Sequence, residues 1–439
     1  MRFTTSFLQK NDDGDTVVAV PLALFVGMIV FMIVLILILW SVKRRRDAEM
    51  HVVRHESLAD LVPSLAGLTH GSVHEGNDLE ILQNGDAFFS RLLEDLRSAK
   101  ETIHFEAFLW EKGAICDEIA ATLAARARHG VEVRLLLDAS GSRKMDRRLL
   151  TMMQDAGCEV RRFHPHRLSN LGLINNRDHR KIVVIDGRIG YVGGHCISEE
   201  WTGNAQDKNH YRDTSVRAEG PIVNSLQSAF TENWSEETGD VLAGARYFPP
   251  PRQAGGTAAH LAYVSASGTV SAVQILYYLA IESASERITI QNPYFLPDPE
   301  ALEALAEAVR RGVEVRVMLP SVRATDSSLV QHASHHHFGS LLERGVKVYE
   351  YDKTLLHQKV MVIDGEWASV GSTNFDDRSF EINDEVSLGI IDVEIARQLE
   401  EAFERDLEHC IELKLDAWKQ RPIGHKLIDG FAYLFNEQL

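Results

Sequence analysis

The chain has 439 residues, charged and apolar fractions of 25% and 45%, and a net charge of −17. That length accommodates two domains of ordinary size with appendages, and the composition is that of a folded protein rather than a disordered one. The acidic balance argues against nonspecific affinity for nucleic acid, although it leaves room for a local basic cleft. Four cysteines, Cys116, Cys158, Cys196 and Cys410, are scattered without metal-ligand spacing or a disulfide framework, and they read as reduced thiols in a cytosol-facing domain.

A short tail, residues 1–16, precedes Val17–Val42, which is almost wholly apolar (VVAVPLALFVGMIVFMIVLILILWSV). Its 26 residues, at about 1.5 Å each, exceed a hydrocarbon core about 30 Å thick, which predicts a transmembrane helix. A cleaved signal peptide is the rival. The length of the run, the lack of a small-residue cleavage pattern and the preceding Asp12, Asp13 and Asp15 weigh against it. Lys43-Arg44-Arg45-Arg46 outweigh Arg2 and Lys10 on the other flank, so the positive-inside rule predicts a single-pass protein of the inner (cytoplasmic) membrane with everything after residue 43 in the cytoplasm. The same cluster reads equally as a stop-transfer flank and as an attractor of anionic headgroups.

Residues 43–78 read as a basic flank and linker, with one short amphipathic helix marked by Leu58, Leu61, Leu65 and Leu68. From Leu79 strand and helix signals alternate: a helix over Asp86–Lys100, a strand over Thr102–Trp110, a helix over Asp117–His129 stopped by Gly130, and a strand over Val131–Asp138. The plan then recurs. Gly130-Val-Glu-Val-Arg134 returns letter for letter as Gly312-Val-Glu-Val-Arg316, 182 residues on, and Ala156-Gly157-Cys158-Glu159-Val160 is echoed by Arg344-Gly345-Val346-Lys347-Val348. Two domain-sized copies predict two similar α/β/α domains, at 79–247 and 259–393, joined by a Pro/Gly-rich linker at 248–258. Residues 394–439 read as helices, Glu394–Leu413 and Lys426–Leu439. The last carries Leu427, Ile428, Phe431, Leu434 and Phe435, and is expected to pack on the second domain, with an interfacial membrane contact as the alternative.

Inside the repeat lies its chemistry. His179-Arg180-Lys181-Ile-Val-Val-Ile-Asp186-Gly187 returns as His357-Gln358-Lys359-Val-Met-Val-Ile-Asp364-Gly365, 178 residues from histidine to histidine. A histidine and a lysine two apart share one face of a strand, whereas Asp186 and Asp364 have the opposite parity and sit at the strand's end as positioning groups. A duplicated His-x-Lys-x4-Asp is hard to explain by core packing. It resembles the signature of the phospholipase D superfamily. Asn176-Arg-Asp-His-Arg-Lys-Ile-Val-Val-Ile-Asp-Gly187, Ile189-Gly-Tyr-Val-Gly-Gly194, Pro293-Tyr-Phe295 and Val370-Gly-Ser-Thr-Asn-Phe-Asp-Asp-Arg-Ser-Phe380 narrow the resemblance to the bacterial cardiolipin synthase branch, over nearly everything from Leu79 to Val393. The fold class implied is two phospholipase D-like α/β/α domains behind a transmembrane helix.

The resemblance implies that His179, Lys181 and Asp186 with His357, Lys359 and Asp364 form one catalytic set. The motif histidines supply nucleophile and general acid, and the lysines stabilise phosphoryl charge, without metal or cofactor. At matched offsets behind each aspartate stand Gly193-Gly194-His195-Cys196 and Gly371-Ser372-Thr373-Asn374, which nominate Gly193, Gly194, Ser372 and Asn374 for substrate binding. Cys196 departs from the family, in which asparagine usually holds this place, and so does Asp178, where the branch commonly has asparagine. Asp213 and Glu385, aligned by the serine two residues after each, are expected to orient the histidine of their own motif. The implied reaction is ping-pong: phosphatidyl transfer from phosphatidylglycerol, or another phospholipid, to a histidine and then to a second lipid hydroxyl, giving cardiolipin. Attack by His179 with His357 as acid is the assignment adopted, although the near-symmetric pair leaves it open. A phospholipase D-type hydrolase or transphosphatidylase releasing phosphatidic acid, a phosphodiesterase or nuclease, and a non-catalytic membrane scaffold are the alternatives. The expected partners are phospholipids and the bilayer, not nucleic acid. His332, His335, His336 and His337 read as an exposed helical face or a contact for lipid phosphates, not as a metal site, because consecutive histidines diverge on a helix and no cysteine or carboxylate spacing accompanies them.

Overall fold

Thr16–Val18 is a strand, paired antiparallel with Leu8–Lys10, and the helix that follows runs from Leu22 to Val42. The computed structural model describes residues 8–10, 16–18, 22–42, 58–69, 71–165, 176–264 and 271–434. The apolar run beginning at Val17 is therefore helical over 21 residues rather than 26. Side chains are described from Leu24 to Leu35 and all are exposed. Over the fully described residues, no helix is long and apolar enough to cross a membrane. These elements belong to a unit of their own, Met1–His51.

The remainder, Val52–Leu439, is a second unit built on one fifteen-stranded sheet. In the first repeat the order is His74–Gln83, Thr214–Glu219, Ile189–Gly193, Ile182–Ile185, Thr102–Ala107, Glu132–Asp138 and Glu159–Phe163. In the second it is Thr257–Val264, Glu385–Ile391, Trp367–Gly371, Val360–Ile363, Arg287–Gln291, Glu314–Pro320 and Lys347–Tyr351. Each repeat is parallel at its outer end and antiparallel at its inner end, and the two join where Thr257–Val264 pairs antiparallel with His74–Gln83.

Strand Ile182–Ile185 is buried at every position, which is why it reads as a continuous apolar run instead of an alternation. Val183 and Ile185 face a core built with the helices Asn84–Ser98 and Ala114–Arg128. Ile182 and Val184 face the other way, into a cluster shared with Val360, Val362, Val370 and Leu388 of the second repeat. Burying each such side chain contributes about 1.5–3 kcal/mol. Because this cluster takes residues from both copies, the duplicated halves are fused through a common sheet and a common core.

Two helices end differently from the pattern in the sequence. The helix expected over Glu394–Leu413 spans Val393–Leu407, and Cys410–Glu412 becomes an edge strand antiparallel to Lys347–Tyr351. Glu408 and His409 break the apolar period, and the open sheet edge supplies partners for the following backbone. The helix expected over Lys426–Leu439 spans Ile423–Tyr433 and packs on helix Ser328–Glu343. Ala432 is buried there, while Ile423, Leu427, Ile428, Phe431 and Leu434 are exposed; Phe435 lies outside the described residues. The helix in the linker spans Leu58–Leu68, buries Leu58, Leu61 and Leu65, and contacts helix Ala272–Ser283.

Candidate active site

The two motifs meet through the backbone before their side chains do. The His179 N–H donates to the Asp384 carbonyl at 2.9 Å and the Asp384 N–H to the Arg177 carbonyl at 2.8 Å. The twin repeats this: the His357 N–H donates to the Arg212 carbonyl at 2.8 Å and the Arg212 N–H to the Leu355 carbonyl at 2.9 Å. Each motif is thus bridged to the segment that opens the other repeat's carboxylate strand, and the orienting pairs are crossed. His179 Nδ1 donates to Glu385, at 2.8 Å from Oε1 and 3.0 Å from Oε2, and His357 Nδ1 donates to Asp213 Oδ2 at 2.7 Å. The expectation that each carboxylate serves its own motif is corrected by these bonds. Sequence alignment pairs equivalent residues, and only the interface between the repeats decides which of them touch.

Both carboxylates are held in turn. Trp201 Nε1 donates to Asp213 Oδ2 at 2.8 Å and the Thr214 N–H to Oδ1 at 2.8 Å. The Ser372 hydroxyl donates to Glu385 Oε2 and accepts from the Val386 N–H. Ser372 therefore supports a carboxylate rather than substrate. Gly193 and Gly194 also differ from the expectation of phosphate binding. A Cβ at Gly194 would lie 2.1 Å from Asp213 Oδ1, and one at Gly193 2.2 Å from Ser215 Oγ, so these glycines make room for the neighbouring strand and its carboxylate.

Lys181 and Lys359 each donate from Nζ to the carbonyl of their own motif histidine, at 2.6 Å in both copies. An ammonium has three donor protons, so each lysine keeps others for a phosphate. Lys359 Nζ also lies 3.0 and 3.1 Å from the two ring nitrogens of His357. Asp186 and Asp364 are elsewhere. Asp186 accepts the N–H groups of Lys100, Glu101 and Thr102 at 2.7–2.9 Å, and Asp364 those of Ser285, Glu286 and Arg287 at 2.8 Å. Seven residues of extended chain put them about 20 Å from their histidines. They fasten the starts of neighbouring strands, which removes them from the catalytic set.

Asn374 is 6% exposed and its buried amide oxygen has no hydrogen-bond partner, as befits a group that awaits a ligand. Cys196, its counterpart, is buried with Sγ 3.8 Å from the Gly194 carbonyl, and burial pushes its thiol up to about 11. The thiol is neutral, and the asymmetry seen in the sequence persists in the site. Aromatic neighbours escaped the sequence reading: Phe108 meets the His179 ring edge-on with centroids 4.8 Å apart, and Trp201 meets His357 likewise at 5.0 Å. His195 stacks on Phe88 at 4.3 Å and binds Ser215 Oγ at 2.8 Å. None of the three has a like residue at the matching place of the other repeat, so the duplication could not flag them.

Charge distinguishes the histidines. Burial, then the positive charges of Lys181, Lys359 and His357, holds His179 well below its ordinary value. Burial and Lys359 also lower His357, but Asp213 opposes them. Burial resists ionisation of Asp213, yet the charge and hydrogen bond of His357 outweigh it and leave that carboxyl below its ordinary value. Burial raises Glu385 to about 7 against the pull of Lys181 and Ser372, and lowers Lys359 to about 8. With Nδ1 of each imidazole facing a carboxylate, Nε2 is left for chemistry on both rings. Both rings are biased toward the neutral form, and only His357 is backed by a carboxylate held below its ordinary value.

Comparison with known proteins agrees with this geometry. The family model described as cardiolipin synthase, PLD-like domain, matches residues 92–234 and 277–407. A probable cardiolipin synthase of Bacillus subtilis (strain 168) is 36% identical over 368 residues, which span 84% of this chain and 73% of that protein. A cardiolipin synthase of Staphylococcus aureus (strain N315) is 38% identical over 363 residues, 82% of this chain and 73% of that one. Among solved structures, phosphatidylserine synthase of Haemophilus influenzae Rd KW20 shares the fold, with a TM-score of 0.63 at 15% identity over 82% of this chain and 95% of that one. Two matched repeats, each carrying one half of the crossed histidine site, show that the chain belongs to the cardiolipin synthase family of phospholipase D-like proteins.

Proposed function

We propose that this protein is a membrane-anchored phosphatidyltransferase that makes cardiolipin from phosphatidylglycerol through a phosphatidyl-histidine. The observation that carries the proposal is the crossed pair of carboxylate-held imidazoles flanked by two lysines, in a chain of this family. Nε2 of neutral His179 attacks the phosphorus of phosphatidylglycerol. The bond from phosphorus to the headgroup glycerol oxygen breaks, and His357 gives that oxygen its Nε2 proton. A second phosphatidylglycerol then attacks through its headgroup hydroxyl. His357 takes the hydroxyl proton, the phosphorus–nitrogen bond breaks, and cardiolipin leaves. Lys181 and Lys359 face the charge that builds on the phosphoryl oxygens in both steps. Asn374 donates to one of those oxygens through its amide Nδ2.

The anchor reading rests on the N-terminal helix. It is drawn from the apolar run Val17–Val42 of the sequence, and Lys43–Arg46 follow, which favours a cytoplasmic catalytic unit on the inner membrane. Full-length protein reconstituted in phosphatidylglycerol bilayers tests the reaction. Cardiolipin and free glycerol appearing in equal amounts is the expected result, and phosphatidic acid without cardiolipin would overturn it in favour of hydrolysis.

A further inference from the structure

Helix Ser328–Glu343 carries His332 and His335 at i and i+3, so their imidazoles leave from one face. Helix Ile423–Tyr433 crosses that face and brings Asp429, which is 2% exposed. His332 Nδ1 lies 2.9 Å from Asp429 Oδ1 and His335 Nδ1 3.6 Å from the same oxygen. All three ligand atoms fall within 4.8 Å of one another. A tetrahedral ion with nitrogen and oxygen ligands at about 2.0–2.2 Å has ligand–ligand edges of roughly 3.3–3.6 Å. The observed separations bracket that edge, so an ion would need only small shifts of the side chains.

The surroundings are those of a built ligand set. His335 uses its other nitrogen, Nε2, on Glu350 Oε1 at 2.8 Å, the carboxylate–imidazole relation that fixes a metal-binding tautomer and leaves Nδ1 as the ligand atom. Arg421 Nη1 holds Asp429 Oδ2 at 2.8 Å, so the carboxylate would bind through Oδ1 alone. His332 is partly exposed, which gives an ion a path in and leaves a fourth position for water. His336 and His337 turn away and enclose the Tyr433 ring, at centroid distances of 4.1 and 4.9 Å. Consecutive histidines do diverge on the helix, but i and i+3 do not, and the carboxylate arrives from a helix some 90 residues later.

We propose that His332, His335 and Asp429 bind a divalent transition-metal ion of the zinc class, apart from the phosphodiester site, and that the ion clasps the C-terminal helix to the catalytic unit. Two imidazole nitrogens with one carboxylate oxygen and an open position suit zinc better than the oxygen-rich shells of magnesium or calcium.

The test uses the full chain in detergent, stripped with chelator and titrated with zinc against a chromophoric competitor, and with cobalt(II) as a spectroscopic substitute. One zinc per chain and a tetrahedral cobalt spectrum are expected. His332→Ala, whose partly exposed side chain makes a folding defect improbable, and Asp429→Asn should each weaken binding by 100-fold or more, while Glu350→Gln weakens it about 10-fold. His179→Ala should bind as the unaltered chain does. Absence of zinc binding at micromolar metal, an ion kept by both His332→Ala and Asp429→Asn, or an ion lost in His179→Ala would each overturn the assignment.

Discussion

Glu385 Oε1 lies 2.8 Å from Nδ1 of His179, a histidine 206 residues earlier and in the other repeat, and the bond is matched in the opposite direction by Asp213 on His357. Neither repeat contains a complete histidine–carboxylate unit. Asp213→Asn should therefore change the ring-nitrogen NMR signals of His357 and leave those of His179, with Glu385→Gln giving the reverse. Each change should lower turnover about 10²- to 10⁴-fold, the range for general acid–base groups that lose their tautomer control. If the Asp213 change perturbed His179 instead, the crossing would be wrong.

Removing Asp186 or Asp364 should cost stability, not chemistry. Each accepts three backbone N–H groups and sits at a φ of +53°, where asparagine is tolerated. Asp364→Asn keeps that conformation and loses charge-assisted bonds, which predicts about 1–3 kcal/mol of destabilisation. Thermal melting measures the loss. kcat per folded molecule should stay within about threefold, because the motif histidine is about 20 Å away.

What could be seen in the sequence follows from what a duplication can show. The repeat exposed both His-Lys pairs, and the shared serine offset found Asp213 and Glu385. It could not show the crossing, which is a property of the interface between copies. It grouped Ser372, Gly194 and the aspartates with the site because they recur, although they recur to hold strands and carboxylates together. Trp201 has no twin and stayed hidden. Cys410–Glu412 is three residues long and becomes a strand only because an edge is open beside it, so no local pattern announces it.

Asp178 is the second place where the sequence departs from the pattern its family resemblance implies. It is fully buried, Oδ2 has no partner, and burial followed by the nearby Glu106 and Asp384 charges raises its carboxyl well above the ordinary range. A raised carboxyl keeps its proton in the folded state after the unfolded chain has lost it. Stability therefore falls as pH climbs above about 4, the ordinary carboxyl value. Asp178→Asn removes that dependence. It should match the unaltered chain near pH 4 and be more stable by about 1–3 kcal/mol at pH 8, a rise of a few degrees in Tm. A lower Tm at pH 8 would contradict the proton assignment.

Asn374 and Cys196 occupy equivalent places, but the burden on them is unequal. The contact proposed from the Asn374 amide Nδ2 to a phosphoryl oxygen predicts that Asn374→Ala lowers kcat/KM about 10- to 100-fold, since one such contact is worth about 1.5–3 kcal/mol. Cys196→Ala removes a neutral thiol with one weak contact and should change kcat/KM less than about threefold. Initial rates over a range of phosphatidylglycerol surface concentrations separate the two cases.

The roles of the two histidines can be separated by removing the need for an acid. A phosphatidyl donor with a nitrophenolate leaving group departs without a proton, so the first step then needs only the nucleophile. His179, held neutral by burial and then by the charges of Lys181, Lys359 and His357, is assigned that part, and His357, backed by ionised Asp213, the acid. With this donor His357→Ala should still release a burst of nitrophenolate and accumulate a phosphatidylated protein, because the base that activates the second hydroxyl is gone. Digestion and mass spectrometry should place the adduct on His179. His179→Ala should give neither burst nor adduct. An adduct on His357 in that variant would reverse the assignment while leaving the crossed site intact.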